Sequence, residues 1–120
     1  MAEIVSDPDC LFCRMVSGEI AVDRVYEDEH VLAFNDINPQ APTHVLIIPR
    51  IHIATVNDLQ PEHHALAGRL YTVAARVARE RGVADSGYRL VMNCNADGGQ
   101  SVDHIHLHLL AGRRMQWPPG

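Results

Sequence analysis

The chain reads as an α+β domain, a five-stranded antiparallel sheet with one long and one short helix. Five short apolar or alternating runs outnumber two stretches of helical spacing. The connections between successive runs are mostly short, which favours antiparallel pairing over the crossovers of a parallel sheet. A length of 120 residues with 47% hydrophobic content suits one core, so residues 1–120 are expected to form a single domain.

The elements follow in order. Cys10 to Val16 has the apolar spacing of a short helix, stopped by Gly18. Arg24 to Glu27 and Val31 to Asp36 read as two strands of a hairpin around the polar turn Asp28-Glu29-His30. After the break Asn38-Pro39-Gln40-Ala41-Pro42, the apolar and β-branched run Thr43 to Pro49 suits a central strand covered on both faces, ended by its proline. A long helix begins at Pro61, puts Leu66, Leu70, Val73, Ala74 and Val77 on one stripe, and stops at Gly82. Tyr88 to Asn93 gives a fourth strand, Asn95 to Ser101 a loop, and Asp103 to Ala111 a fifth strand. Cys94 is read as a buried thiol, and His30, His63 and His64 as surface residues.

Composition removes several function classes. The net charge is −5 and the ten basic residues, all arginine, are scattered, which does not make the concentrated basic face that DNA or RNA duplexes require. No apolar run approaches the roughly 18 residues of a membrane span, and no secretory pattern opens the chain, so a cytoplasmic protein is expected. Three cysteines are an odd and sparse set, better suited to thiol or metal chemistry than to a disulfide framework.

The chemistry concentrates in His104-Ile105-His106-Leu107-His108. On a strand, alternate side chains share a face, so three imidazoles line one side while aliphatic residues pack beneath. At strand rise the backbones of His104 and His108 would stand ~13 Å apart, which makes one metal held by all three difficult when Zn–N bonds are about 2 Å, although a neighbouring pair could share one. The preceding Asp97-Gly98-Gly99-Gln100-Ser101 combines two glycines, which let a backbone approach phosphate oxygens, with a hydroxyl. An imidazole with an ordinary pKa near 6.5 is largely neutral at pH 7 and can attack phosphorus without the activation that a serine needs. Half-exposed histidines on an ordinary strand, or a metal-dependent phosphohydrolase, are the competing readings.

These residues resemble the histidine-triad (HIT) superfamily, whose signature His-φ-His-φ-His-φ-φ, with φ apolar, is matched by His104 to Leu110. Phe34 to His44, the Asp97 to Ser101 loop and the ending Gly112 to Gly120, with Trp117-Pro118-Pro119, are similar to its Hint branch of purine nucleoside phosphoramidases. The resemblance implies a homodimer whose sheets join, and a substrate made of a purine nucleoside monophosphate linked through nitrogen to a small group. It implies that His106 forms a nucleotidyl-histidine intermediate that water then hydrolyses. His108, Ser101 and the amides of Gly99 and Gln100 would hold phosphate oxygens or the leaving nitrogen, and His44 would orient the triad or relay protons. Asp36 would bond the ribose hydroxyls, Phe12, Phe34 and Ile37 would enclose the base, and Asn93 would contact sugar or phosphate. A nucleotide-binding regulator with vestigial catalysis is the other class that this resemblance leaves open.

Cys10-x-x-Cys13 has zinc-ligand spacing but is two ligands short of a tetrahedral site. The same family resemblance supplies His52 and His104 as the missing pair, around a structural zinc that the chemistry itself does not require. His104 would then fix the strand from behind and take no part in catalysis. Asp103, where related proteins carry a bulky residue before the triad, and Gln116, where animal Hint members often have His, depart from the pattern and bear on substrate preference.

Overall fold

The computed structural model describes residues 6–120. Its elements are α1 (Leu11–Val16), β1 (Arg24–Glu27), β2 (Val31–Asn35), β3 (Thr43–Pro49), two single 3-10 turns (Val56–Asp58 and Pro61–His63), α2 (His64–Glu80), β4 (Tyr88–Val91), α3 (Asn95–Gly98) and β5 (Leu107–Ala111). The strands form one sheet in the order β1-β2-β3-β5-β4, and each neighbouring pair is antiparallel. The α+β reading and the five-stranded antiparallel sheet therefore hold.

The period-2 pattern divides this sheet into two differently covered faces. Val31, Ala33, Val45, Ile47, Leu107 and Leu109 point to one side, where Leu70, Val73, Ala74, Val77 and Ala78 of α2 cover them. Leu32, Phe34, Leu46 and Ile48 point to the other, against Cys10, Phe12 and Cys13 from the start of α1. Leu46 lies opposite His108, and His44 opposite Leu110, so both histidines belong to the α1 face. One side of the sheet holds the larger core and the other carries the histidines.

Three strand boundaries differ from the sequence reading. β5 begins at Leu107 instead of Asp103, so His104 and His106 lie in an extended but unpaired approach to the strand. The ladder between β3 and β5 stops at Ile47↔Leu107 because Pro49, the next residue of β3 facing that way, has no N–H to donate. The amide of Ile105 instead reaches the carbonyl of Ile53 at 2.8 Å. β4 ends at Val91, which pairs with His108, because beyond that point β5 offers no strand to pair with. β2 ends at Asn35, although the amide of Asp36 still donates to the carbonyl of His44 at 2.9 Å.

The expected loop 95–101 contains a helical turn, α3, capped by Gly99 at φ +79°, a conformation for which glycine has no steric penalty. His63, expected on the surface, is buried, and its Nδ1 accepts the backbone N–H of Gln60 at 2.9 Å. Helical spacing alone did not show that the imidazole folds back to cap its own turn. Cys94 is half-buried.

Candidate active site

The site is built where the unpaired approach to β5 crosses the ends of α1 and β3. Each histidine there has at least one ring nitrogen held by a partner, and the partners fix the tautomers. His106 Nδ1 lies 2.8 Å from the carbonyl oxygen of His104. A carbonyl only accepts, so Nδ1 carries the proton and Nε2 carries the lone pair. Phe12 meets the His106 ring edge-on at 5.1 Å and also packs at 5.6 Å against Phe34, which holds the imidazole plane from below.

His44 and His108 form a second unit. The backbone N–H of Gln40 donates to His44 Nδ1 at 3.0 Å, so the neutral His44 ring carries its proton on Nε2. That nitrogen is 2.9 Å from His108 Nδ1 and 3.5 Å from Asp36 Oδ2. His108 Nδ1 is thus an acceptor, and the neutral His108 ring keeps an Nε2–H to donate. Its ring centroid lies 4.9 Å from that of His106. The arrangement puts a nucleophilic lone pair on His106 beside a hydrogen-bond donor on His108.

Burial reinforces this neutral state. Desolvation, with the neighbouring His106 and His44 adding to it, pushes His108 down to about 4. His44 is lowered by burial too, opposed by the nearby Asp36 carboxylate. An unfolded imidazole titrates near 6.5. As the pH falls from about 6.5 to about 4 the unfolded chain binds protons that native His108 refuses, so the stability present above 6.5 is lost across that window. The urea midpoint is expected to stay level between pH 8 and 7 and to decline from 6.5 towards 4, with a shallower decline in His108→Gln. Identical profiles for the two proteins would contradict the assignment.

His104 faces elsewhere. It is fully buried, and its Nε2–H donates to the carbonyl of Pro49 at 2.9 Å, which leaves the Nδ1 lone pair aimed at the cysteines. Cys10 Sγ lies 3.3 Å and Cys13 Sγ 3.6 Å from that nitrogen, and His52 Nδ1 is 3.4 Å from Cys13 Sγ. A tetrahedral ion with Zn–S of about 2.3 Å and Zn–N of about 2.0–2.1 Å spaces its sulfur and nitrogen ligands about 3.5 Å apart. The four residues fit such an ion in donor type, spacing and tautomer. Burial pushes the Cys10 thiol up to about 11, so the charge of a cation is what would bring this sulfur to the thiolate.

Asp36, His44 and His108 also lie close enough together to suggest a metal, but their chemistry argues against it. His44 Nδ1 already accepts an amide proton, and the 2.9 Å contact to His108 is hydrogen-bond length, shorter than the ~3.3 Å separating two imidazole nitrogens on a tetrahedral zinc. The structure therefore separates a metal-fitting cluster from a hydrogen-bonded relay, and among the described residues neither group includes His106.

The remaining predicted residues are placed unevenly. Phe12 and Phe34 are together in the core, whereas Ile37 is 98% exposed on the turn after Asp36. Asp36 Oδ1 accepts the amide of Asn38 at 2.8 Å, leaving Oδ2 towards His44. Asn93 is half-buried beside the backbone of Gly98, and Ser101 is exposed. The amides of Gly99 and Gln100 are taken by the carbonyls of Ala96 and Asn95 within the turn. The Gln100 side chain bonds the carbonyls of Ala54 and Val102 and the amide of Asn95, which makes it a staple between two loops. Sequence reasoning missed Gln40, whose amide sets the His44 tautomer, and Arg113, whose guanidinium holds the Gln40 carbonyl at 3.0 and 3.3 Å.

Comparison with known proteins agrees with this geometry. The HIT domain family model matches residues 17–115. A purine nucleoside phosphoramidase of Escherichia coli strain K12 is 55% identical over 107 residues, covering 89% of this chain and 90% of the relative. A solved HIT family hydrolase from Legionella pneumophila superposes with a TM-score of 0.92 at 54% identity, covering 93% of this chain and 100% of that one. A histidine triad protein from Clostridium difficile gives 0.90 at 40% identity, covering 92% and 96%. With the family model and relatives of more than half identity each spanning most of its length, the chain belongs to the HIT family and is a HIT-family hydrolase.

Proposed function

We infer that the chain hydrolyses the P–N bond of purine nucleoside 5′-phosphoramidates through a nucleotidyl intermediate on His106. The observation that carries this reading is the hydrogen bond from His106 Nδ1 to the His104 carbonyl, which leaves Nε2 free as the nucleophile. In the first step Nε2 forms a bond to phosphorus and the P–N bond breaks; the nitrogen takes its electron pair and a proton from solvent and departs as the amine, while His108 Nε2–H donates a hydrogen bond to a phosphate oxygen or to the leaving nitrogen. In the second step water attacks phosphorus and releases a proton to solvent, the P–Nε2 bond breaks with its pair returning to His106, and the nucleoside monophosphate departs. Burial keeps His108 and His44 neutral in both steps.

Asp36 is assigned to the ribose hydroxyls, Ser101 to a phosphate oxygen and Asn93 to sugar or phosphate. Phe12 supports the His106 ring, and Ile37 would cover the base from the solvent side. His44 relays charge between Asp36 and His108. The substrate class rests on the similarity to the E. coli phosphoramidase. Zinc, held by Cys10, Cys13, His52 and His104, is assigned a structural role. We place the protein in the cytoplasm as a homodimer whose sheets join; the open sheet edges are β1 and β4, and no helix among the described residues is long and apolar enough to cross a membrane.

The test is to incubate the protein with adenosine 5′-phosphoramidate, follow AMP and ammonia, and quench early for intact-mass analysis. The expected result is equimolar AMP and ammonia, with transient adenylylation that maps to His106. Tight AMP binding without turnover would point to the regulator, and a label on another residue would reject the mechanism.

A further inference from the structure

The segment that carries the nucleophile has little ladder support of its own. Residues 101–106 lie outside every strand, and among the described residues their main-chain ties are the His104 amide to the Val102 carbonyl and the Ile105 amide to the Ile53 carbonyl. What anchors the segment in the core is the His104 side chain, fully buried between the Pro49 carbonyl and the two sulfurs. The same residue's carbonyl takes the Nδ1–H of His106 at 2.8 Å. The other tie, Ile105 to Ile53, is flanked on the two segments by the two histidines of the cysteine cluster, His104 and His52. Two elements that share one backbone hydrogen bond would thus be cross-tied beside that bond by one ion.

We propose that the Cys10–Cys13–His52–His104 cluster is a positioning device for the nucleophile: with a divalent metal bound, it fixes the His104 carbonyl and so the plane and tautomer of His106. This rests on the phosphoramidase reading for its kinetic readout, but the cluster makes its own structural demand. A metal that only stapled α1 to the sheet would need no ligand whose carbonyl holds the attacking ring. His104 joins the two with a single residue, its imidazole in the cluster and its carbonyl in the site.

The experiment compares zinc-loaded, chelator-stripped and zinc-restored wild type with His52→Asn, which removes a half-buried ligand and leaves the catalytic rings untouched. Metal content, thermal midpoint, AMP affinity, kcat and KM would be measured, together with the imidazole Nδ1–H resonance of His106 by 15N-resolved NMR. Stripping is expected to leave the protein folded and AMP affinity and KM within about threefold, while kcat falls by about 10–100-fold, the usual range for losing an orienting partner. The Nδ1–H signal should be sharp when loaded, broadened or absent when stripped, and recovered with zinc. His52→Asn should resemble the stripped protein.

A folded, stripped protein with kcat within twofold and an unchanged Nδ1–H signal would overturn the proposal, as would a wild type that takes up no zinc. If stripping unfolds the wild type, His52→Asn carries the comparison; unfolding of both would make the ion a fold staple and reject the positioning role. If the loaded protein shows no phosphoramidate turnover, the functional reading fails separately, and the Nδ1–H signal still decides the coupling.

Discussion

His106→Ala is expected to lower kcat for adenosine 5′-phosphoramidate by at least about 10,000-fold, because removing a covalent nucleophile leaves only binding and electrostatic stabilisation. AMP affinity should change by only a few-fold, since Asp36, Ser101 and His108 remain. The fold has to be checked alongside, because the buried carbonyl of His104 loses its donor, a cost of about 1–3 kcal/mol. The ring also packs edge-on to Phe12, so some destabilisation from the lost volume adds to this. Circular dichroism and urea titration would show the variant folded while its turnover and its intermediate are both lost. A variant that retains a hundredth of wild-type kcat would exclude His106 as the nucleophile.

Gly112→Ala is expected to give a large loss of stability, by about 3–5 kcal/mol. Gly112 adopts φ +93°, where a side chain costs about 1–3 kcal/mol of backbone strain. A Cβ built there would come 2.7 Å from Pro42 Cβ and 3.1 Å from Pro42 Cγ, and a pyrrolidine ring cannot swing aside. The clash also bears on chemistry. Ala111, just before Gly112, pairs with Thr43, and Arg113, just after it, holds the carbonyl of Gln40, whose amide sets the His44 tautomer. Urea titration should show a lower midpoint at unchanged slope, and the folded fraction should have reduced kcat. A loss under about 1 kcal/mol would mean that the chain path around Pro42 yields more readily than this packing implies.

Much of the architecture was legible because it obeys short periodicities. The apolar run Thr43–Pro49 and the stripe on α2 each declare a buried face, and Pro49 marks the end of its strand. The alternation His104, His106, His108 located the site but extended the strand too far, because the loss of a ladder at Pro49 depends on a partner over fifty residues away. Tautomers were hidden for the same reason: they are set by Gln40 N–H and by the carbonyls of Pro49 and His104, groups that every residue of their kind carries. Gln100 was named for its backbone amide beside two glycines; in the fold that amide donates to the Asn95 carbonyl, and its side chain staples the carbonyls of Ala54 and Val102, a pairing that only the folded chain shows. The cysteine pair had the opposite fate. Its spacing alone was incomplete, and folding brought the two histidines named by resemblance to ligand distance.

The ring orientations at this site are written in the main chain. A backbone amide points His44, one carbonyl points His104 and another points His106, and the side-chain link between His44 and His108 inherits its direction from the first of these. Exchanging a neighbouring side chain can weaken a ring's packing but cannot reverse which nitrogen bears the hydrogen. An engineer seeking a version of this protein whose proposed nucleophile and donor trade places would therefore have to reroute the chain near Gln40 and His104. A library confined to the pocket lining would leave that polarity as it is.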